Sequence, residues 1–174
     1  MSVILTKPKS KKTQGTAAVR CDRCQPAKMT GSGVVSFYVH GPLKKIAHAD
    51  LNAANLIKVI EVGLPVTELA DLQASLAVPT EKLAPMLGIS KATFHRRKGA
   101  GKRLGSAESD RVVRFARLLG KAIKVFGDKE DARQWLSSPQ FGLGGAVPLD
   151  YAKTEVGARE VENLLGRIEH GVYS

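Results

Sequence analysis

Residues 80–98 of this 174-residue chain read TEKLAPMLGISKATFHRRK, and this stretch decides the fold. Residues 80–87 predict a short helix, Gly88 predicts a turn, and residues 90–98 predict a second short helix that begins at the N-cap residue Ser90. Two short helices joined by a turn that contains glycine form a helix-turn-helix. The stretch therefore predicts this motif near the middle of the chain.

The interior of the motif agrees with this prediction, with one exception. Small Ala84 stands four residues before Gly88, where the two helices touch. The apolar contacts that fix the angle between the helices are expected from Leu83, Ile89 and Phe94. Pro85 is the exception, because proline inside a helix removes a hydrogen bond and tends to kink it. The first helix is therefore either bent or only two turns long.

The second helix of such a motif enters the DNA major groove, and its N-terminal residues reach base edges. In this chain those residues are Ser90, Lys91, Ala92 and Thr93, with His95 and Arg96 one turn later. Arg96 is suited to reading a guanine edge. Phosphate contacts are expected from Arg97, Lys98, Lys102 and Arg103. The alternative is a helical pair with solvated basic residues and no role in DNA binding.

Apolar residues spaced three or four apart predict further helices, so the expected fold class is all-α with seven helices. The predicted N-caps are Asp50, Ser106, Asp128 and Thr154, and the predicted helix ends include Gly63 and Gly127. A long helix is expected at residues 106–126, and residues 141–149 are expected to form a loop. Residues 34–39 are β-prone and predict a short strand or no fixed structure.

The charge of the chain is unevenly distributed. The formal net charge is +11 and the pI is about 9.9. Residues 82–124 hold twelve basic and two acidic residues, whereas residues 125–174 hold five basic and eight acidic residues. Residues 1–49 form a basic stretch that predicts a flexible tail. This banding favours two partner surfaces, a basic one for nucleic acid and an acidic one for protein, although charge runs are often solvated faces.

Several function classes are disfavoured by composition. With 43% hydrophobic residues the chain is not expected to be wholly disordered, and it contains no apolar run long enough to span a membrane. The first residues do not form the apolar core of a secretory signal, so we expect none. Two cysteines form no disulfide framework, so a reducing, cytoplasmic location is expected. We interpret the Cys21/Cys24 pair as two ordinary thiols, because structural zinc needs four ligands.

Catalytic motifs are also missing from the sequence. Residues 142–145 (GLGG) lack the flanking strand and helix of a phosphate loop, so they predict a tight turn. His95 and His170 have no implied partner carboxylate and are interpreted as contact residues. We therefore expect no enzyme activity, no cofactor and no metal site.

A set of motifs from about residue 51 to the C-terminus resembles bacterial antitoxins of the Xre/MbcA/ParS toxin-binding-domain type. In chain order they are GLPV (63–66), LGISKATFHRR (87–97), ESDR (108–111), ARQWL (132–136), LGG (143–145), PLD (148–150), TEVGA (154–158) and LGRIEHGV (165–172). The basic tail lies outside the resemblance, and Pro85 departs from the family pattern. The resemblance divides the chain into the tail (1–49), a helix-turn-helix DNA-binding domain (50–105) and a toxin-binding domain (106–174).

The resemblance implies two partners. One is a RES-domain toxin that consumes NAD and whose active-site cleft the C-terminal region blocks; the other is operator DNA, through which the protein represses its own operon, as a homodimer. The residues expected to face the toxin are Leu164, Arg167, Ile168, Glu169, His170, Gly171, Val172, Tyr173 and Ser174. Two alternatives remain open. One is a repressor whose C-terminal domain only dimerises, and the other is an architectural DNA binder that uses its tail.

Overall fold

The fold is helical throughout the part of the chain that the structure describes. The computed structural model describes residues 33–40, 53–98 and 102–172. Within these ranges there are nine α-helices, one 3-10 turn, two isolated backbone bridges and no strand, so the all-α prediction is confirmed. The helices are α1 (Val34–His40), α2 (Ala53–Val62), α3 (Val66–Leu76), α4 (Thr80–Met86), α5 (Lys91–Lys98), α6 (Ser106–Phe126), α7 (Lys129–Ser137), α8 (Pro148–Tyr151) and α9 (Glu155–Glu169).

The long helix α6 is the centre of the fold. Its buried side chains recur three and four residues apart, which gives it one apolar side along its length. The helices α1, α2, α3, α7 and α9 all contact it. The buried apolar residues form one cluster that extends on both sides of residue 106 in the chain, so α6 joins the helices before and after it into a shared core.

The prediction for residues 34–39 was wrong, because these residues form helix α1 inside the stretch expected to be a flexible tail. Their β-branched side chains disfavour an isolated helix, but burial overrides that preference. The Val35 N–H donates to Oε2 of Glu68 at 2.9 Å, so a buried carboxylate caps the start of the helix. The side chains that α1 buries are Val34, Val35 and Val39.

Helix α1 lies unusually close to α6. A Cβ atom added to Gly120 would lie 2.2 Å from the carbonyl oxygen of Tyr38, so only glycine permits this approach. The rest of the predicted tail, including the Cys21/Cys24 pair, lies outside the described residues, as does the predicted N-cap Asp50.

The loop predicted at residues 141–149 is also more ordered than expected. It contains the 3-10 turn Phe141–Leu143, and its last two residues already belong to α8. Pro148 occupies the first turn of α8, where its missing N–H has no helical partner to lose. The expected total was about seven helices, and α1 and α8 bring the number within the described residues to nine.

Most of the predicted helix caps are confirmed. Asp128 accepts hydrogen bonds from two backbone N–H groups of α7, and Thr154 accepts one from Gly157 in α9. Gly127 ends α6 in a left-handed conformation with φ +79°. The prediction for Ser106 was wrong by one residue, because the N-cap is Gly105 and the side chain of Glu108 accepts its N–H at 2.7 Å.

Candidate functional site

The helix-turn-helix is formed by α4, a turn and α5, as predicted. Gly88 in the turn has φ +67°, a left-handed conformation that glycine adopts without steric cost. The Ile89 N–H donates to the Ala84 carbonyl at 2.9 Å and closes the turn. The residues expected at the contact between the two helices are all buried: Leu83, Ala84, Ile89 and Phe94.

Pro85 is accommodated because α4 is short. The helix has seven residues, about two turns, and only Met86 follows Pro85 within it. The missing N–H therefore removes one hydrogen bond from the last turn rather than from a helix interior. Of the two alternatives drawn from the sequence, the short helix is confirmed.

Arg111 of α6 holds the turn in place. Its Nη1 donates to the Leu87 carbonyl at 2.9 Å, at the end of α4. A Cβ atom on Gly88 would lie 2.6 Å from the same nitrogen, so the glycine also makes room for this contact. Arg111, one of the basic residues of the positively charged segment 82–124, thus connects α6 to the helix-turn-helix by a hydrogen bond.

The N-terminal part of α5 presents a polar, exposed surface. Ser90 is the N-cap residue, since its Oγ accepts the Thr93 N–H at 3.1 Å. The Ser90 hydroxyl also contacts Thr93 Oγ1 at 2.9 Å, and Thr93 is half-buried. These two hydroxyls therefore fix the first turn of the helix. The exposed residues that follow Ser90 on this helix are Lys91, Ala92, His95 and Arg96.

Lys91 is held by an exposed ion pair. Its Nζ lies 2.6 Å from Oε1 of Glu81 in α4, and the hydrogen bond from Lys91 lowers the pKa of Glu81. Exposed pairs of this kind are weak in water. The pair therefore contributes little to holding Lys91 in place.

Two of the four residues expected to bind phosphates also have partners within the protein. Arg97 is half-buried and pairs with Glu108, which ties α5 to the start of α6. Arg103 Nε donates to the Gly63 carbonyl at 2.7 Å, beside the backbone bridge between Pro65 and Arg103. Both arginines orient the motif, and their partners lie eleven and forty residues away in the chain.

Two of the remaining basic residues expected to contact DNA have no carboxylate partner in the described part of the chain. Arg96 and Lys102 are exposed, and neither forms an ion pair with any residue that the structure describes. The side chain of Lys98 lies outside the description. The structure thus leaves Arg96 as the free guanidinium of α5 among its described side chains.

The basic side of α6 faces the acidic side of α9. Three ion pairs connect the two helices: Arg114–Glu155 at 3.2 Å, Arg117–Glu162 at 2.6 Å and Lys124–Glu169 at 2.7 Å. Between them, Lys121 Nζ donates to the Glu162 carbonyl at 2.8 Å. We call these contacts the α6–α9 ladder. Much of the positive charge of α6 is therefore compensated inside the molecule rather than offered to DNA.

The C-terminal end of α9 is exposed but ordered through Val172. The Val172 N–H donates to the Arg167 carbonyl at 2.9 Å, and Gly171 has φ +67°, an arrangement that ends a helix. Glu169 is held by Lys124, whose hydrogen bond keeps the pKa of Glu169 below its usual value. The exposed residues here are Glu169, His170, Gly171 and Val172, and Tyr173 and Ser174 lie outside the description.

Near this end, Arg167 has a buried nitrogen without a hydrogen-bond partner. Its Nε is buried and has no acceptor, and its guanidinium forms no ion pair with any described residue. An unsatisfied buried donor costs about 1–3 kcal/mol. The two terminal nitrogens of Arg167 are not buried in this way and have no hydrogen-bond partner among the described residues. The neighbouring predicted toxin contacts on α9, Leu164 and Ile168, are half-buried.

Sequence reasoning did not single out Phe141, whose side chain is 100% exposed. The tight turn predicted at residues 142–145 is present, with Gly144 and Gly145 in left-handed conformations. The sequence did contain a signal for this exposure. Phe141 is followed at once by a glycine-rich turn, so no helical or strand period places its side chain in the core.

Two kinds of site are missing from the described part of the chain. No three His, Cys, Asp or Glu side chains there come close enough to hold a metal ion. None of the helices described is both long and apolar enough to cross a bilayer.

Comparison with known proteins adds to this geometry. Residues 56–117 match the Antitoxin Xre-like helix-turn-helix domain, and residues 121–171 match the Antitoxin Xre/MbcA/ParS C-terminal toxin-binding domain. The chain is 36% identical over 120 residues to Antitoxin Xre of Yersinia enterocolitica, which covers 68% of this chain and 81% of that protein. The chain belongs to the Xre antitoxin family. It is accordingly an antitoxin of a toxin–antitoxin system with a helix-turn-helix DNA-binding domain.

Other Xre relatives show the same coverage. Antitoxin Xre of Photorhabdus laumondii is 36% identical over 121 residues, 69% of this chain and 82% of that protein. The Prs ADP-ribosylating antitoxin of a Sphingobium strain is 29% identical over 127 residues, 68% of this chain and 80% of that protein. The two Xre family matches meet within α6, between residues 117 and 121, so one helix carries both domains.

Proposed function

We propose that this chain neutralises a RES-domain, NAD-consuming toxin by covering the toxin's active-site cleft with the C-terminal end of α9. The chain itself has no enzymatic role in this proposal. The Sphingobium relative supports the choice of toxin class, because its name refers to ADP-ribosylation. The ADP-ribosyl group of that reaction comes from NAD.

The observation that carries the proposal is the state of Arg167. It lies within the residues matched to the toxin-binding domain, its Nε is buried without an acceptor, and no described carboxylate pairs with it. A carboxylate of the toxin would pair with the accessible terminal nitrogens of this guanidinium, and such charge-assisted contacts are among the stronger ones at interfaces. Four buried residues of α9, together with the α6–α9 ladder, hold this helix against the core, so little entropy is lost when the toxin binds.

The second half of the proposal is repression of the chain's own operon. The exposed surface of α5, with Arg96 free of internal partners, is suited to reading operator bases in the major groove. One chain presents one such helix. A homodimer would present two, and would then recognise half-sites about 34 Å apart. Because a repressor acts where its operator is, we place the protein in the cytoplasm.

Co-expression with the protein encoded beside this gene tests the toxin half, and we expect that neighbour to be a RES-domain protein. We expect the two proteins to co-purify and the cells to survive. Deleting residues 170–174 should abolish protection while leaving the fold intact, because the Lys124–Glu169 pair is kept. A truncated chain that still protects the cells would contradict the proposed role of this end.

The Arg167→Ala variant tests whether this arginine contributes to toxin binding. It should weaken the complex by roughly 30-fold or more, as expected for an interface residue of high energetic weight. Arg159→Ala is the matched control, since it removes the same charge from the same helix at an exposed residue paired only within α9. Equal losses in the two variants would show that net charge, rather than Arg167, governs binding.

Gel-shift assays with the operon's promoter test the repression half. Arg96→Ala should reduce operator affinity by about 10-fold or more, because a base contact contributes roughly 1–3 kcal/mol. Arg159→Ala again serves as the control for the loss of one positive charge. Toxin binding should be unchanged in both variants. If the chain binds its promoter but no toxin, it is instead a repressor whose C-terminal domain has another purpose, such as dimerisation.

A further inference from the structure

The 3-10 turn that follows α7 presents an aromatic side chain entirely to solvent. Phe141 is 100% exposed, although burying a Phe side chain normally stabilises a protein. Single exposed apolar residues are common on protein surfaces, but a Phe side chain that is entirely exposed is less usual.

The turn that carries Phe141 is rigid. The Gly144 N–H donates to the Phe141 carbonyl at 2.9 Å, and the Gly145 N–H donates to the Gln140 carbonyl at 2.9 Å. The Gln140 side chain in turn donates to the carbonyls of Trp135 and Ser138 at 2.9 and 3.1 Å. The aromatic ring is therefore presented on a fixed support, which lowers the entropy lost when a partner covers it.

The turn contacts helix α9 at Leu164. A Cβ atom on Gly142 would lie 2.6 Å from Cδ1 of Leu164, so the backbone of the turn rests directly on that side chain. Leu164 and Ile168 stand four residues apart and share one side of α9 with each other. Phe141 is thus adjacent in the chain to the point where this turn contacts Leu164, one of the residues expected to face the toxin.

We propose that Phe141 is an aromatic anchor that inserts into an apolar pocket of the toxin, beside the contact made by the C-terminal end of α9. The occupant is the toxin because residues 121–171, which include this turn, match a toxin-binding domain. Aromatic side chains are enriched among the residues that dominate binding energy at interfaces. This inference rests on the proposed function only in taking a toxin as the partner.

The test measures the Kd of the purified complex between the full chain and an inactive variant of its proposed RES-domain toxin. Phe141→Ala should raise the Kd by roughly 30-fold or more. Val156→Ala is the matched control, because Val156 is 75% exposed but stands eight residues before Leu164, about 12 Å along α9. The control should change the Kd by less than about threefold.

Melting curves accompany each variant, and Phe141→Ala should melt as the wild type does because its side chain contacts only solvent. An unchanged Kd for Phe141→Ala, or an equal loss for Val156→Ala, would overturn the inference. So would a shift in the monomer–dimer equilibrium of the free chain at unchanged toxin affinity, since the ring would then contact a second copy. Failure of the wild-type chain to bind the toxin would instead contradict the proposed function.

Discussion

Ser109 shows how a single buried hydroxyl connects distant parts of the chain. Its Oγ accepts the Leu64 N–H at 2.9 Å and donates to the Gly105 carbonyl at 2.8 Å. Leu64 and Ser109 are 45 residues apart in the chain. The contact therefore fixes the segment after α2 against the first turn of α6.

We expect Ser109→Ala to destabilise the protein by about 1–3 kcal/mol, because the Leu64 N–H would be buried without an acceptor. Ser106→Ala is the control, since Ser106 is exposed in the same helical turn, and it should change stability by less than about 0.5 kcal/mol. Urea unfolding of both variants measures the difference. Equal effects would show that Ser109 matters only through helix propensity.

Glu68 makes stability depend on pH. Burial raises the pKa of its carboxyl above the usual value, while the hydrogen bond from Val35 opposes that rise and nearby Asp71 adds to it. The folded state therefore binds this proton more tightly than the unfolded state does. The resulting stabilisation is complete below the unfolded-state pKa and is lost as the pH rises through the folded-state pKa.

Glu68→Gln should remove that dependence, because the amide oxygen still accepts the Val35 N–H and carries no charge. We expect the variant to gain stability relative to the wild type as the pH is raised from 4 to 7. Unfolding free energies measured at several pH values test this. A difference that stays constant with pH, or that falls, would contradict the account of Glu68.

At the scale of elements, sequence reasoning succeeded where the deciding interaction is local. Ser90 and Asp128 cap helices whose N–H groups lie two or three residues away, so their roles are visible in the sequence. It failed for α1, whose helix depends on Glu68 and on contact with α6. It also missed that Arg97 binds Glu108, because either residue alone is typical of a solvated helix surface.

The α1–α6 contact provides a test at this scale. Alanine is usually more stable than glycine inside a helix by roughly 0.5–1 kcal/mol. Gly120→Ala should nevertheless destabilise the protein by about 1–3 kcal/mol, because its Cβ would lie 2.2 Å from the Tyr38 carbonyl oxygen. Chemical denaturation measures the sign directly.

Gly166→Ala is the matched control for this substitution. The nearest atom to its added Cβ would be Lys121 Nζ at 3.9 Å, which is ordinary contact. This variant should therefore gain stability. A stabilising Gly120→Ala would mean that α1 does not pack on α6 as described.

Over the whole molecule, only part of the charge in the basic and acidic segments is available to a partner. The sequence favoured a basic middle for DNA and an acidic end for protein, and residues from both bands in fact pair in the α6–α9 ladder. Linear charge counts could not show this, because the paired residues lie about forty residues apart in the chain. Among the arginines of α5 and α9 that the structure describes, Arg97 and Arg159 have carboxylate partners, whereas Arg96 and Arg167 have none.

These two arginines lie on separate helices that both depend on α6 for their position. Arg111 and Glu108 of α6 hold the helix-turn-helix, while the α6–α9 ladder holds α9. We therefore expect operator binding and toxin neutralisation to be lost independently by substitution at one surface or the other.

The most direct measurement is the rate of NAD consumption by the purified RES-domain toxin as the antitoxin is added. We predict that the wild-type chain and the Arg96→Ala variant bring this rate to zero at the same molar ratio, and that the chain lacking residues 170–174 leaves it unchanged. Continued NAD consumption by toxin that is saturated with wild-type chain would contradict the claim that the end of α9 covers the active-site cleft.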